Sequence, residues 1–264
     1  MTSVFPNVES LLGIYSFFAG CRYSDDLAGL SLFDGGTVSA YENYALIDPK
    51  KNCDTRLPLR DFVLAGLDFF AARGMPHIWP LFPGAGSLVG PLLEEHGAVR
   101  DAVFFDMFAR SDAMRQFAHR EDDFATVVVS DPGSARAWAD AAWYGFDSGE
   151  PAPESFVRFT HAMIARPEFY LCALRNRDAN TPHFAVTGML GLVGGTAGIY
   201  YVATRPEYRR RGLALRVMKT LLDAADERGY NRVTLLATPS GRPLYEKCGF
   251  VTTGDVDIYR FGEA

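Results

Sequence analysis

The chain has 264 residues, with 26 Lys+Arg against 32 Asp+Glu and a hydrophobic fraction of 48%. The length suits two domains of ordinary size, and the apolar fraction excludes a disordered or fibrous protein. A formal net charge of -6 argues against a general nucleic-acid or anionic-membrane binder. Residues 205–219 are the exception, with six cations (Arg205, Arg209, Arg210, Arg211, Arg216, Lys219) against the single anion Glu207.

In chain order, Leu11 to Cys21 reads as an apolar helix. It is too short to span a bilayer and has no preceding Lys or Arg of the kind a signal peptide carries. Cys21, Cys53, Cys172 and Cys248 are scattered, without metal-ligand spacing to the histidines. The expectation is a cytoplasmic protein with reduced thiols and no metal.

The chain repeats itself. At an offset of 155, Leu67, Asp68, Arg73, Gly74 and Leu81 match Leu222, Asp223, Arg228, Gly229 and Leu236, and Ile78 matches Val233. Each segment reads as a helix end, a Gly cap and a buried strand. After a three-residue slip, Leu93–Ala98 matches Tyr245–Phe250, a short helix ending at Gly. Val103–Ala109 and Asp255–Phe261 follow as last strands. The predicted organisation is one fold repeated over 1–115 and 120–264, joined through the polar stretch Asp112–Asp123.

In the second copy, Thr126–Ser130 reads as a strand and Ser134 as the N-cap of a helix to about Phe146. Gly149–Pro153 is a break and Ser155–Arg166 a second helix. Phe169–Arg175, Phe184–Val193 and Ala197–Thr204 read as strands, with a turn at Arg177–Pro182 and a hairpin at Gly194-Gly195. A loop over Arg205–Gly212 leads to a helix ending near Arg228. A strand at Arg232–Ala237, a helix at Pro243–Cys248 and the last strand complete a mixed α/β order.

The chemistry concentrates in Tyr201–Leu215, YVATRPEYRRRGLAL. A strand stops at Pro206, three arginines and Gly212 follow, and a helix begins. The helix start offers unpaired amides and a positive dipole end, Gly212 permits close approach, and the arginines add charge. The combination suits a phosphate.

Arg209-Arg210-Arg211-Gly212-Leu213-Ala214 resembles the signature of the GNAT acyltransferase superfamily, Arg/Gln-x-x-Gly-x-Gly/Ala at a strand-to-helix turn. Pro206-Glu207-Tyr208 and the Pro243–Phe250 helix ending in Gly-Phe resemble it too, and the resemblance covers about residues 124–262. It implies two tandem GNAT-like folds of mixed α+β class, and an acetyl-coenzyme A-dependent N-acetyltransferase. It further implies that main-chain groups of Val202 and Thr204 pair with the pantetheine arm, and that amides of Arg210 to Ala214 hold the pyrophosphate. Tyr245 takes the place of a general acid toward the departing thiolate. Ser240 sits where many members carry an Asn.

No Asp, Glu or His lies on the strand AGIYYVAT to serve as a base. Asp140, Asp147, Glu150 and His161 are candidates on or near the early helices. A water relay, or an amine that arrives neutral, removes the need for one. Trp138, Trp143, Tyr144, Phe146, Tyr200 and Tyr201 are candidates for an acceptor pocket as well as for the core.

In the first copy, Tyr44–Pro49 resembles the fourth strand, but Lys50–Pro58 has no glycine. The first copy is expected to keep the fold without the coenzyme loop, and to support or cover the acceptor side. The expected acceptor is a small-molecule primary amine, with no nucleic-acid or membrane partner and a homodimer as a possible assembly. Acetylation of a protein lysine or N-terminus, and a non-catalytic acyl-coenzyme A sensor, are the competing readings.

Overall fold

The computed structural model describes residues 6–15, 29–36, 39–47, 59–83, 86–118, 123–146, 151–177, 183–193 and 195–262. These form seven α-helices and ten strands. The elements are α1 (Pro6–Tyr15), β1 (Leu30–Phe33), β2 (Tyr44–Ile47), α2 (Leu59–Ala71), β3 (His77–Leu81), α3 (Gly86–Glu95) and β4 (Val99–Arg110). They continue with β5 (Phe124–Val128), α4 (Pro132–Gly145), α5 (Glu154–Ile164), β6 (Phe169–Asn176), β7 (Phe184–Val193), β8 (Thr196–Thr204), α6 (Leu213–Glu227), β9 (Arg232–Ala237), α7 (Arg242–Lys247) and β10 (Val251–Phe261). None of the described helices is long and apolar enough to cross a membrane.

Two units emerge, and a single cut near 115–120 does not separate them. One comprises 1–106, 236–240 and 252–264; the other comprises 107–235 and 241–251. In the first, the strand order is β1-β2-β3-β10 and then β4 as far as Asp106. β10 runs antiparallel to β3, with Asp257 opposite Leu81 and Phe261 opposite His77. The last strand, read from sequence as the end of the second copy, is therefore a strand of the first unit. A core of Leu30, Leu32, Phe62, Phe70, Trp79 and Tyr259 fills it.

The second unit takes the last residues of β4, then β9-β8-β7-β6-β5. β5, β6, β7 and β8 form antiparallel neighbours, and β8 runs parallel to β9. β7 is buried along its length apart from Val193, with α4 and α6 packed against it. That burial explains its nearly continuous apolar run, broken only by Thr187, because a strand covered on both faces needs no polar alternation. Trp138, Phe156, Leu174, Met189 and Leu221 anchor this core.

The repeat is visible in geometry. Gly74 and Gly229 take positive φ values of 61° and 80° after α2 and α6. Met75 N–H returns to the Phe70 carbonyl as Tyr230 N–H returns to Ala225. Arg73 and Arg228 each donate to the carbonyl four residues back, at 2.7 and 2.9 Å. Ala98 and Phe250 close on Leu93 and Tyr245 in the same way, both at 3.0 Å. The parallel pair Tyr44↔Ile78 likewise corresponds to Ala197↔Val233.

Local boundaries shift in understandable ways. Asp131, not Ser134, caps α4: the helix begins at Pro132, which places Asp131 just outside it and Ser134 in the first turn. The Asp131 carboxylate accepts the Ser134 amide at 3.0 Å, and Ser134 Oγ accepts the Asp131 amide at 3.2 Å. α1 starts at Pro6, ahead of the expected Leu11, and residues 16–21 lie outside the described set. The loop at 48–58, the segment 147–150 and residues 178–182 of the turn also lie outside it.

Candidate functional site

The second unit assembles most of the expected site around one end of β8. Pairing of β8 to β9 covers Ala197↔Val233 and Gly198↔Thr234, so the β8 backbone continues beyond that ladder toward Thr204. Opposite β7, Tyr200 faces Met189 and Ala203 faces Thr187, which leaves Tyr201 and Val202 against Gly188 alone. This is a β-bulge, and Tyr201 carries its strain at φ 51°. Thr187 Oγ1 donates to the Tyr201 carbonyl at 3.0 Å. The bulge takes Val202 out of the regular register with β7.

Beyond Thr204, Pro206–Tyr208 forms a 3-10 turn with Tyr208 buried against Phe124. Arg210 and Gly212 then adopt left-handed conformations at φ 64° and 77°, and Gly212 caps α6. Arg210 pays the usual penalty for a residue with a Cβ in that region, roughly 1–2 kcal/mol. Alternating handedness gathers successive amides into a concave nest, and the first turn of α6 adds N–H groups that have no helical acceptor. No described group accepts from the amides of Arg210, Arg211, Gly212, Leu213 or Ala214. The nest lies at the N-terminus of a helix of 15 residues, where the dipole favours negative charge.

The cations divide by task. Arg209 binds protein: its Nε donates to the Thr204 carbonyl at 3.1 Å and its Nη2 to the Gly145 carbonyl at 2.9 Å. It ties the end of β8 to the last turn of α4. Arg211 donates to the Glu207 carbonyl at 3.0 Å, and Arg205 lies over the Tyr144 ring at 4.4 Å. Arg216 donates to the Phe124 carbonyl and Lys219 to Asp223. The exposed side chain of Arg210 has no partner among the described residues.

Tyr245, on α7, belongs to the same unit. Its ring meets Phe250 edge-on at 6.1 Å, and burial, with the neighbouring Cys248 thiol adding to it, holds its phenol well above the ordinary tyrosine value. It therefore stays a neutral O–H donor at physiological pH. Ser240 belongs to the first unit instead, where its hydroxyl shares a 3.1 Å hydrogen bond with Thr238. Cys172 and Cys248 are free and buried; burial pushes both thiols up to about 12, which removes them as nucleophiles.

Of the candidate bases, Asp140 accepts the Ala152 amide at 3.0 Å and pairs with Arg136. His161 contacts the Pro132 carbonyl at 3.2 Å. Both serve local structure, and Asp147 and Glu150 lie outside the described residues. Among the described residues, no group of His, Cys, Asp or Glu is arranged to hold a metal.

The aromatic candidates split. Trp138 is core, its Nε1 donating to the Cys172 carbonyl at 3.0 Å. Tyr144 supports Arg205. Tyr201 sits in a ring cluster with Phe156 at 5.3 Å, Phe159 at 5.7 Å, Trp138 at 5.9 Å and Phe146 at 6.4 Å. Trp143 packs on Phe156 at 5.5 Å, and Phe146 is 52% exposed. Phe156 and Phe159 are additions to the sequence reading. Their i, i+3 spacing on an amphipathic helix carried the signal.

Residues 133–250 match the acetyltransferase (GNAT) family. An uncharacterised N-acetyltransferase of Streptomyces griseus is 34% identical over 142 residues, 50% of this chain and 33% of that protein. The chain spans 24–37% of the length of the curated relatives it matches. A GCN5-related N-acetyltransferase from Kribbella flavida superposes with a TM-score of 0.68 at 16% identity, covering 100% of this chain and 98% of that one. A tandem GNAT protein from the clavulanic acid biosynthesis pathway gives 0.61 at 11% identity, over 90% and 80%. These likenesses establish the fold, and the family match falls on the segment that holds the bulged strand, the amide nest and Tyr245. Residues 133–250 are thus similar to the GNAT acetyltransferase family, over somewhat less than half of the chain.

Proposed function

We propose that the protein is an acetyl-coenzyme A-dependent N-acetyltransferase that acetylates a primary amine of a small molecule. The observation that carries this reading is the nest of five amides from Arg210 to Ala214, set beyond the end of β8. The amides would hold the pyrophosphate with Arg210 beside them. Main-chain groups of Val202 and Thr204 would pair with the pantetheine arm, which brings the thioester to the bulge. There the Val202 N–H would polarise the thioester carbonyl. The amine nitrogen attacks the carbonyl carbon, the new C–N bond forms and the C–S bond breaks. Tyr245 passes its phenolic proton to the leaving sulfur, and the amine's surplus proton leaves through water and restores the phenol. Transfer is direct within a ternary complex, in keeping with two inert thiols.

The first repeat would support or cover the acceptor side. The test is calorimetric binding of acetyl-coenzyme A together with amine-dependent thiol release over an amine panel. Gly212→Glu places bulk and negative charge at the nest and is expected to abolish binding. Unchanged affinity would refute the placement, and tight binding without turnover on any amine would make the protein a sensor.

A further inference from the structure

The first unit contains a pocket of about 860 Å³ at the start of β3, the end of α2 and the end of β10, lined by residues of that unit alone. This is the size range of small-molecule sites. One wall is a three-ring stack: His77 lies 4.0 Å from Phe70 and 4.8 Å from Phe261, nearly parallel to both. Met75 and Leu67 extend the apolar lining.

Comparison of the two repeats shows what the pocket has gained. On α6, Asp223 is held by Lys219, one turn earlier, at 2.6 Å. On α2 the matching aspartate, Asp68, is retained, but the position of the lysine is Leu64. Both Leu64 and Asp68 line the pocket. Among the described residues Asp68 has no cation within ion-pair distance. A carboxylate that has lost its helical counter-ion beside an apolar wall favours a cation brought by a ligand. His77 adds a second observation of the same sign. It is 4% exposed, its Nδ1 contacts the Met75 carbonyl at 3.2 Å, and its Nε2 has no described partner. With Nδ1 as donor, Nε2 is an unmet acceptor that is itself shielded from solvent. The pocket thus offers the exposed Asp68 carboxylate beside the half-buried Leu67, Met75 and Phe261, the complement of an ammonium ion with an apolar body.

We propose that this pocket binds an organic ammonium ion, its apolar or aromatic body against Leu67, Met75 and Phe261 and its charge against Asp68. The site is separate from the amide nest, and it stands whether or not the nest holds coenzyme A. The probe is 2-phenylethylamine, with 2-phenylethanol as its uncharged counterpart, titrated by ligand-observed NMR. The amine is expected to bind saturably. Asp68→Asn, and separately Leu64→Lys, which restores the lysine of the second repeat, should each weaken it roughly threefold to fivefold, the worth of a partly exposed ion pair. The alcohol should bind wild type with the same deficit. Thermal melts of both variants report that the fold is kept. Equal binding of amine and alcohol, no effect of either substitution, or no saturable binding would overturn the proposal. So would amine binding that survives Asp68→Asn and is lost in Gly212→Glu, which would place the amine at the coenzyme-binding unit.

Discussion

Gly188 holds the bulge of β8 and the start of α6 in a fixed relation. A Cβ added there would lie 2.6 Å from Val217 Cγ1 and 2.8 Å from Leu221 Cδ1. Carbon atoms in contact prefer about 3.5–4.0 Å, so Gly188→Ala leaves an overlap of about 1 Å. Both neighbours are buried, at 1% and 0% exposure. Val217 cannot rotate away cheaply, because a β-branched side chain in a helix has one favoured rotamer. α6 must therefore shift, at about 1–3 kcal/mol. For a unit of this size that is roughly 3–10 °C in melting temperature. Val217 lies one turn beyond Leu213, so the displaced helix also carries the nest amides out of place, and acetyl-coenzyme A affinity is expected to fall along with stability. Differential scanning fluorimetry and calorimetric titration read the two effects. The double variant with Val217→Ala removes the closest overlap, and a double-mutant cycle should show favourable coupling. A Gly188→Ala protein that melts within a degree of wild type, or destabilisations that simply add in the double variant, would refute the packing argument.

Tyr245→Phe is expected to lower kcat about a hundredfold while the acetyl-coenzyme A Kd stays within about twofold; equal turnover would remove its acid role. Arg209→Ala deletes the donors that join Thr204 to Gly145. The expected cost is about 1 kcal/mol with a coenzyme Kd some fivefold higher, and Lys at 209 should fail to restore it because it lacks the planar fork. Wild-type affinity in Arg209→Ala would contradict this. Burial pushes the His77 imidazole down to about 4. The unfolded chain takes up this proton near pH 6.5 and the folded one only near 4, so stability present above 6.5 is lost as pH falls between those values, by about 3 kcal/mol. His77→Phe should flatten that loss in urea melts at pH 7 and pH 4.5, and identical pH dependence in both proteins would show another group responsible.

The sequence was most legible where one local signal decides the structure. β7 and β9 occupy the residues expected of them, because burial from Phe184 to Leu192 and from Val233 to Leu235 leaves mainly apolar segments between turn residues. Gly212 marked the start of α6 because a left-handed cap there suits glycine above other residues. The pairing of the last strands was not legible. β4 and β10 each follow a short helix closed at a glycine, Gly97 or Gly249, with the same hydrogen bonds. Two strands with equivalent approaches carry nothing local that says which neighbour each will choose. The division of labour among the arginines was also hidden. A run of three arginines reads as one patch of charge, whereas the fold directs Arg209 to carbonyls and gives Arg210 no partner among the described residues. The coupling of Arg209 to Gly145 joins positions 64 apart, beyond the reach of any local pattern.

β10 also sets a schedule for synthesis. Asp257 pairs with Leu81, 176 positions earlier, so the first unit to leave the ribosome lacks one of its inner strands until almost the whole of the second has been made. At about 5–20 residues per second the delay is roughly ten to thirty-five seconds. Through that interval the side of β3 that will receive β10 is an open edge beside a partly built core, the condition under which strands seek wrong partners. The unit whose strands are made first is therefore completed only when β10 has been made.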